Sequence, residues 1–154
     1  MDYITYLRSM VGKEKVLMTV CGTFVIDQEG RVLLQLRSDT KEWGIPGGFM
    51  ELNETVEDTA RRETKEETGL NLGELELFGV YSGPNLHKTF PNGDQVALVQ
   101  ILFTCRDFSG SFDLNDEETL DAKFFPLDDL PENIFEKHRW FLKDLMEKKP
   151  PVIG

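Results

Sequence analysis

Glu63, Glu66 and Glu67 stand at i, i+3 and i+4 inside the segment 48–70, and the rest of the chain has to be arranged around them. On an α-helix that spacing stacks three carboxylates on one face within about one turn. Such groups repel one another, and helix formation alone offers no compensation. The simplest one is a hard divalent cation, Mg²⁺ or Mn²⁺, which takes oxygen ligands and lets each carboxylate neutralise part of its charge. The alternative is a solvated acidic face, the common fate of a run of charge.

The flanking residues favour a site. Asn53 or Glu54 followed by Thr55 can cap the helix start, Glu54, Glu57 and Asp58 suit the positive end of its dipole, and Gly69 can close the last turn in a left-handed conformation. Val56, Ala60 and Thr64 recur every four residues, so a neighbouring stripe can pack on a sheet while the acidic side faces a cleft. Just upstream, residues 43–48 form a loop whose Gly44, Gly47 and Gly48 let bare backbone approach whatever the carboxylates hold.

Read together, Gly48, five residues, Glu54, seven residues, Arg62, Glu63, Thr64, Lys65, Glu66, Glu67, Thr68, Gly69 and Leu70 resemble the signature box of the Nudix hydrolases. Every fixed position is filled. Thr64 is the one departure, a small polar residue where an aliphatic one is usual, and it lies on the packing side. The resemblance implies an α/β Nudix fold, a mixed curved β-sheet sandwiched between α-helices. It also implies Mg²⁺- or Mn²⁺-dependent attack of water at phosphorus on a nucleoside diphosphate linked to another moiety, a sugar nucleotide such as ADP-ribose or a (d)NTP. Removal of 5′ pyrophosphate from RNA and non-catalytic nucleotide sensing are the competing readings.

On the same basis Glu63, Glu66 and Glu67, with the Gly47 carbonyl, hold the metal, and Arg62 orients a neighbouring carboxylate. Glu54 supports the junction of loop and helix. The general base is a box glutamate, Glu63 or Glu66, or an acid of a distant loop, where Asp116, Glu117 and Glu118 are the candidates and Glu117 or Glu118 is preferred. Pro84 falls near the place where ADP-sugar pyrophosphatases of the family carry a proline. From residue type alone, His87, Lys88, Phe90 and Asn92 are able to stack on a base or meet a phosphate. Trp43 either packs on a ligand or covers the core, and His138, among charged neighbours, is expected to be exposed.

Along the chain, residues 2–10 carry apolar side chains at helical spacing, and residues 134–148 read as a last amphipathic helix. Residues 15–26 and 31–37 read as a hairpin turning at Gly30, with Gly22 marking a bulge or a close approach. Residues 74–82 read as a strand, 83–94 as a long mobile loop, and 95–105 as a central strand paired with 121–125. The tail 149–154 is expected to fray. At 154 residues, without repeats or linkers, a single domain over 1–154 is expected.

Seventeen basic against 28 acidic side chains give a formal charge of −11, unfavourable for gripping long nucleic acid through its phosphates. A small nucleotide is therefore the expected partner. Cys21 and Cys105, in apolar runs, read as buried thiols. The longest apolar runs are strand-length, and residues 1–15 lack a signal-peptide core, so a cytoplasmic protein without membrane contact is expected. A homodimer is compatible with the N-terminal helix and the apolar strands.

Overall fold

Two apolar runs form the spine of the structure, a computed structural model that describes residues 2–114 and 117–154. Strand β1 (Val16–Val25) pairs in parallel with β8 (Gln95–Cys105), unbroken from Val16 opposite Val96 to Val25 opposite Cys105. Successive side chains of a strand point to opposite faces, and the two cores follow that alternation. Cys21 and Phe103 pack with Ala60 on one face, while Phe24 and Leu102 join Phe78, Tyr81, Phe141 and Leu142 on the other. Ala60 belongs to α2 (Val56–Thr68), Phe141 and Leu142 to α3 (Glu136–Glu147), so a helix covers each face.

β4 (Gly47–Phe49) pairs antiparallel with the free edge of β1, setting Gly22 opposite Gly47 and Cys21 opposite Gly48. The far edge of β8 is shared by β6 (Glu76–Tyr81) and β7 (His87–Thr89), both antiparallel to it. β2 (Val32–Arg37) lies between β3 (Trp43–Gly44) and β10 (Thr119–Phe125) in a smaller sheet. A short pair joins β5 (Asn71–Leu72) to β9 (Phe108–Ser109). The mixed sheet between helices is the α/β architecture expected, and α1 (Tyr3–Val11) is the expected N-terminal helix.

Four expectations need correction, and of the two readings of Gly22 one holds. The hairpin does not form as a ladder: Gly30 turns the chain at φ 78°, but after one bridge between Ile26 and Val32 the strands diverge into different sheets. Residues 119–125 consequently pair with β2 and not with β8, whose edges β1, β6 and β7 fill. Segment 83–94 is not one loop, because its 87–89 stretch adds to the sheet. The tail does not fray: β11 (Val152–Ile153) lies parallel to β6, and Gly154 N donates to the Val80 carbonyl. Gly22 marks a close approach and no bulge, since the Pro46 carbonyl accepts from Thr23 N at 3.1 Å and lies 3.0 Å from where a Cβ on Gly22 would stand.

Cys21 and Cys105 are buried free thiols. Among the described residues no helix is long and apolar enough to cross a membrane.

Candidate active site

Helix α2 is closed at both ends by its own sequence. Thr55, rather than Asn53 or Glu54, is the N-cap: its hydroxyl accepts from Asp58 N at 3.0 Å while the Asp58 carboxylate accepts from Thr55 N at 3.2 Å. Gly69 ends the helix at φ 87°. Thr64 is fully buried, and among the described residues its hydroxyl has no hydrogen-bond partner.

Between these caps Arg62 organises the acidic face. Its Nε donates to Glu54 Oε2 at 2.6 Å and its Nη2 to Glu54 Oε1 at 2.9 Å, while Nη2 also donates to the Phe49 carbonyl at 3.0 Å. The remaining nitrogen, Nη1, reaches Glu63 at 2.9 Å and Glu66 at 3.4 Å. Glu54 further accepts from Glu51 N and from the Thr59 hydroxyl, each at 2.9 Å. The Arg62 hydrogen bonds hold the Glu54 carboxyl down at about 2, and the same bonds raise the Arg62 pKa.

Glu63 and Glu67 are the strained acids. Burial pushes the Glu63 carboxyl up against the pull of Arg62, and pushes Glu67, 5% exposed, well above the usual carboxylate value. Glu67 is clamped from two sides: Gly47 N donates to its Oε1 at 3.0 Å, and the Gln35 amide donates to its Oε2. Gln35 in turn accepts from the Thr119 hydroxyl at 2.9 Å. Glu66, with 54% of its side chain exposed, reaches toward solvent. Gly48 has no room for a side chain, because a Cβ there would stand 2.6 Å from each Glu63 carboxyl oxygen.

Gly47, Gly48, Arg62, Glu63, Glu66 and Glu67 line a cavity of about 570 Å³. Of the residues singled out in the sequence, Gly22, Gly47, Gly48, Arg62, Glu63, Glu66, Glu67, Lys88, Phe90, Glu118 and His138 line it. Trp43, Pro84, His87 and Glu117 do not. Trp43 packs edge-on against Phe125 at 4.9 Å between ring centres, within the core. Pro84 is exposed and opens a 3₁₀ turn whose Leu86 is buried, and His87 bonds through its ring to the Thr89 hydroxyl at 3.0 Å. Glu117 is exposed, and Asp116 lies outside the described residues.

The cavity is also lined by residues that the sequence alone did not assemble: Arg37, Phe135, Lys137 and His138, with Lys88 and Phe90. His138 is not exposed as expected. Its Nδ1 accepts from Ile45 N at 2.8 Å, which fixes the proton of the neutral ring on Nε2, and burial followed by the charges of Arg37 and Lys88 lowers its pKa to about 3. Gln35 also went unnoticed, although a glutamine interrupting the apolar run of residues 32–36 was a signal for a buried polar partner.

The acidic residues offer hard oxygen donors of the kind a divalent cation takes, two of them already sharing one positive nitrogen. Among the described residues no three Asp, Glu, His or Cys side chains are gathered into a finished cage. Arg62 bridges Glu63 and Glu66, and Glu67 is turned to Gln35 and Gly47. The donor set fits a cation that competes with Arg62 for these oxygens.

Comparison with known proteins agrees with this geometry. Residues 17–145 match the family described as NUDIX domain. The chain is 37% identical over 128 residues to an ADP-ribose pyrophosphatase of Methanocaldococcus jannaschii, covering 81% of this chain and 71% of the relative. It is 32% identical over 136 residues to a MutT-like protein of Streptomyces ambofaciens, covering 88% and 80%. The crystal structure of a MutT NUDIX hydrolase from Burkholderia pseudomallei superposes with a TM-score of 0.69 at 28% identity, covering 82% of this chain and 96% of that one. With the family domain spanning most of its length and its acidic helix set against a cleft, the chain belongs to the Nudix family and is a hydrolase of phosphoric anhydride bonds.

Proposed function

We propose that this Nudix enzyme is a Mg²⁺-dependent pyrophosphohydrolase of a nucleoside diphosphate linked to a sugar, with ADP-ribose as the leading substrate and a (d)NTP second. The observation that carries the reading is that one cavity is lined both by Glu63, Glu66 and Glu67 and by Arg37, Lys88 and Lys137. A diphosphate with an organic group at each end matches that polarity, and the 37% identity to an ADP-ribose pyrophosphatase favours the sugar nucleotide. The acidic balance of the chain disfavours extended RNA contacts.

In this reading Glu63, Glu66, Glu67 and the Gly47 carbonyl hold the cation. Bound there, Mg²⁺ neutralises the diphosphate and lowers the pKa of a bound water. Arg62 and Glu54 keep Glu63 and Glu66 in place as positioning residues. Glu118, on the cavity lining, accepts the proton of the attacking water, ahead of Glu117, which is off it; Glu63 and Glu66 are the other acceptors to test. Water adds to one phosphorus, the anhydride oxygen leaves with the other, and ADP-ribose yields AMP and ribose 5-phosphate.

The test is product release from ADP-ribose, dGTP and a 5′-triphosphorylated oligonucleotide, with and without Mg²⁺, in ¹⁸O-labelled water. AMP from ADP-ribose, dependent on Mg²⁺ and faster than release from the others, supports the proposal. Preference for the oligonucleotide, or tight ADP-ribose binding without turnover, contradicts it.

A further inference from the structure

Among the described residues four cationic side chains line the cavity, and three are already committed. Arg62 is saturated by Glu54, Glu63, Glu66 and the Phe49 carbonyl. Arg37 is forked onto Asp39, Nε to Oδ1 at 3.1 Å and Nη2 to Oδ2 at 3.2 Å. Lys137 donates its ammonium to the His87 carbonyl.

Lys88 is different. Among the described residues its ammonium has no ion pair or hydrogen bond; it lies over the Phe90 ring at 4.6 Å and near the Phe135 ring at 5.4 Å. Strand β7 explains the placement: on a strand Lys88 points away from its neighbours His87 and Thr89, which bond to each other. The aromatic faces steady the cation without satisfying its three donors. Burial lowers its pKa, and Arg37 adds to the effect. His138 beside it is neutral and supplies no counter-charge.

A half-buried cation with free donors, in a cavity that carboxylates also line, is a seat for an anion. Its position over Phe90 also occupies a ring face on which a base would otherwise stack. We propose that Lys88, held between Phe90 and Phe135, is a specificity-determining residue whose ammonium binds a phosphate oxyanion of the substrate in the cavity that the carboxylates of α2 also line. This rests on the reading of the cavity as the substrate site, not on ADP-ribose being the substrate.

The experiment pairs kinetics with binding in the absence of metal. Lys88→Met keeps the aliphatic stem between the rings and removes the charge; Lys88→Arg keeps a charge. One arm measures kcat and KM for ADP-ribose with Mg²⁺. The other measures binding of AMP and of adenosine by calorimetry in EDTA.

A charge-assisted bond made equally in ground and transition states moves KM and leaves kcat near its starting value. Lys88→Met is expected to raise KM and weaken AMP binding by about 10-fold or more, to leave adenosine binding unchanged, and to be largely rescued in Lys88→Arg. Equal AMP affinity in wild type and Lys88→Met overturns the proposal, as does a loss confined to kcat or a matching loss of adenosine binding. Should Lys88→Met melt early, Lys88→Gln takes its place under the same criteria. A wild type that binds AMP through Lys88 but hydrolyses no nucleotide sinks the activity reading and leaves this one standing. ADP-ribose turnover with unchanged KM and AMP affinity in the variants does the reverse.

Discussion

Arg62 grips Glu54 with two nitrogens of its guanidinium, at 2.6 and 2.9 Å, and hands its third nitrogen to Glu63 and Glu66. A lysine has the charge but not the planar fork, and cannot hold these groups at once. Arg62→Lys is therefore expected to keep its fold and lose about 10- to 100-fold in kcat, the usual effect of removing a group that orients metal ligands. Circular dichroism and AMP release from ADP-ribose check both halves. Wild-type kcat in the variant would show that Arg62 is a surface ion pair only.

Two glycines give a contrast. A Cβ on Gly48 stands 2.6 Å from both Glu63 carboxyl oxygens, whereas one on Gly30 meets nothing within 4 Å but sits at φ 78°. Gly48→Ala is expected to destabilise by about 1–3 kcal/mol through overpacking and to abolish turnover by displacing Glu63. Gly30→Ala costs about 1–2 kcal/mol of left-handed strain and leaves kcat alone. Urea unfolding and turnover together separate the two; active Gly48→Ala would contradict the packing described.

His138 makes stability depend on pH. Its folded pKa is about 3 against 6.5 for an ordinary histidine, so below 6.5 the unfolded chain binds a proton that the folded one refuses. Stability is fully present above pH 6.5 and falls as pH drops toward 3, by at most about 1.4 kcal/mol per unit. Comparing urea midpoints at pH 7 and 5.5 stays above the range in which Glu54 titrates. The raised carboxyls of Glu63 and Glu67 act in the opposite sense in both proteins, so the difference is the test: from pH 7 to 5.5 the wild type should lose more stability, or gain less, than His138→Gln, and equal changes would mean that the ring is protonated in the folded state.

Helix α1 lies outside the matched residues 17–145 yet reaches the site. Asp2 and Ile4 line the cavity, Tyr3 N donates to Glu51 at 2.8 Å, and Arg8 donates to the Gln95 carbonyl at 2.7 Å. No residue of the helix is fully buried, but Tyr3, Ile4, Leu7 and Val11 are half-buried, and Arg8 also pairs with Asp94 at 3.6 Å. Removing residues 2–11 is expected to raise KM for ADP-ribose several-fold while changing the melting temperature little. An unchanged KM would separate the helix from substrate binding.

The acidic face of α2 was legible because its cause is local: caps, dipole and carboxylate spacing all act within a few turns. What failed was non-local. Residues 119–125 read equally well as a partner for any apolar strand, and nothing near them says that β2 leaves β1 after a single bridge at Ile26 and Val32. His138 read as exposed because Lys137 and Arg139 flank it. It is held inside because Ile45 N, 93 residues earlier, needs an acceptor. The basic lining was hidden for the same reason: Arg37, Lys88 and Lys137 come from three separate elements, and only the closed fold brings them to one cavity.

The central claim is that the carboxylates of α2 carry the hydrolysis. The direct measurement is the rate of AMP release from ADP-ribose at saturating Mg²⁺ for wild type, Glu63→Gln and Glu66→Gln, each substitution removing one charge at nearly constant shape. The account predicts turnover by the wild type that vanishes in EDTA, and a fall in each folded variant beyond the about 100-fold that loss of an outer partner brings. Variants that release AMP at the wild-type rate would contradict it.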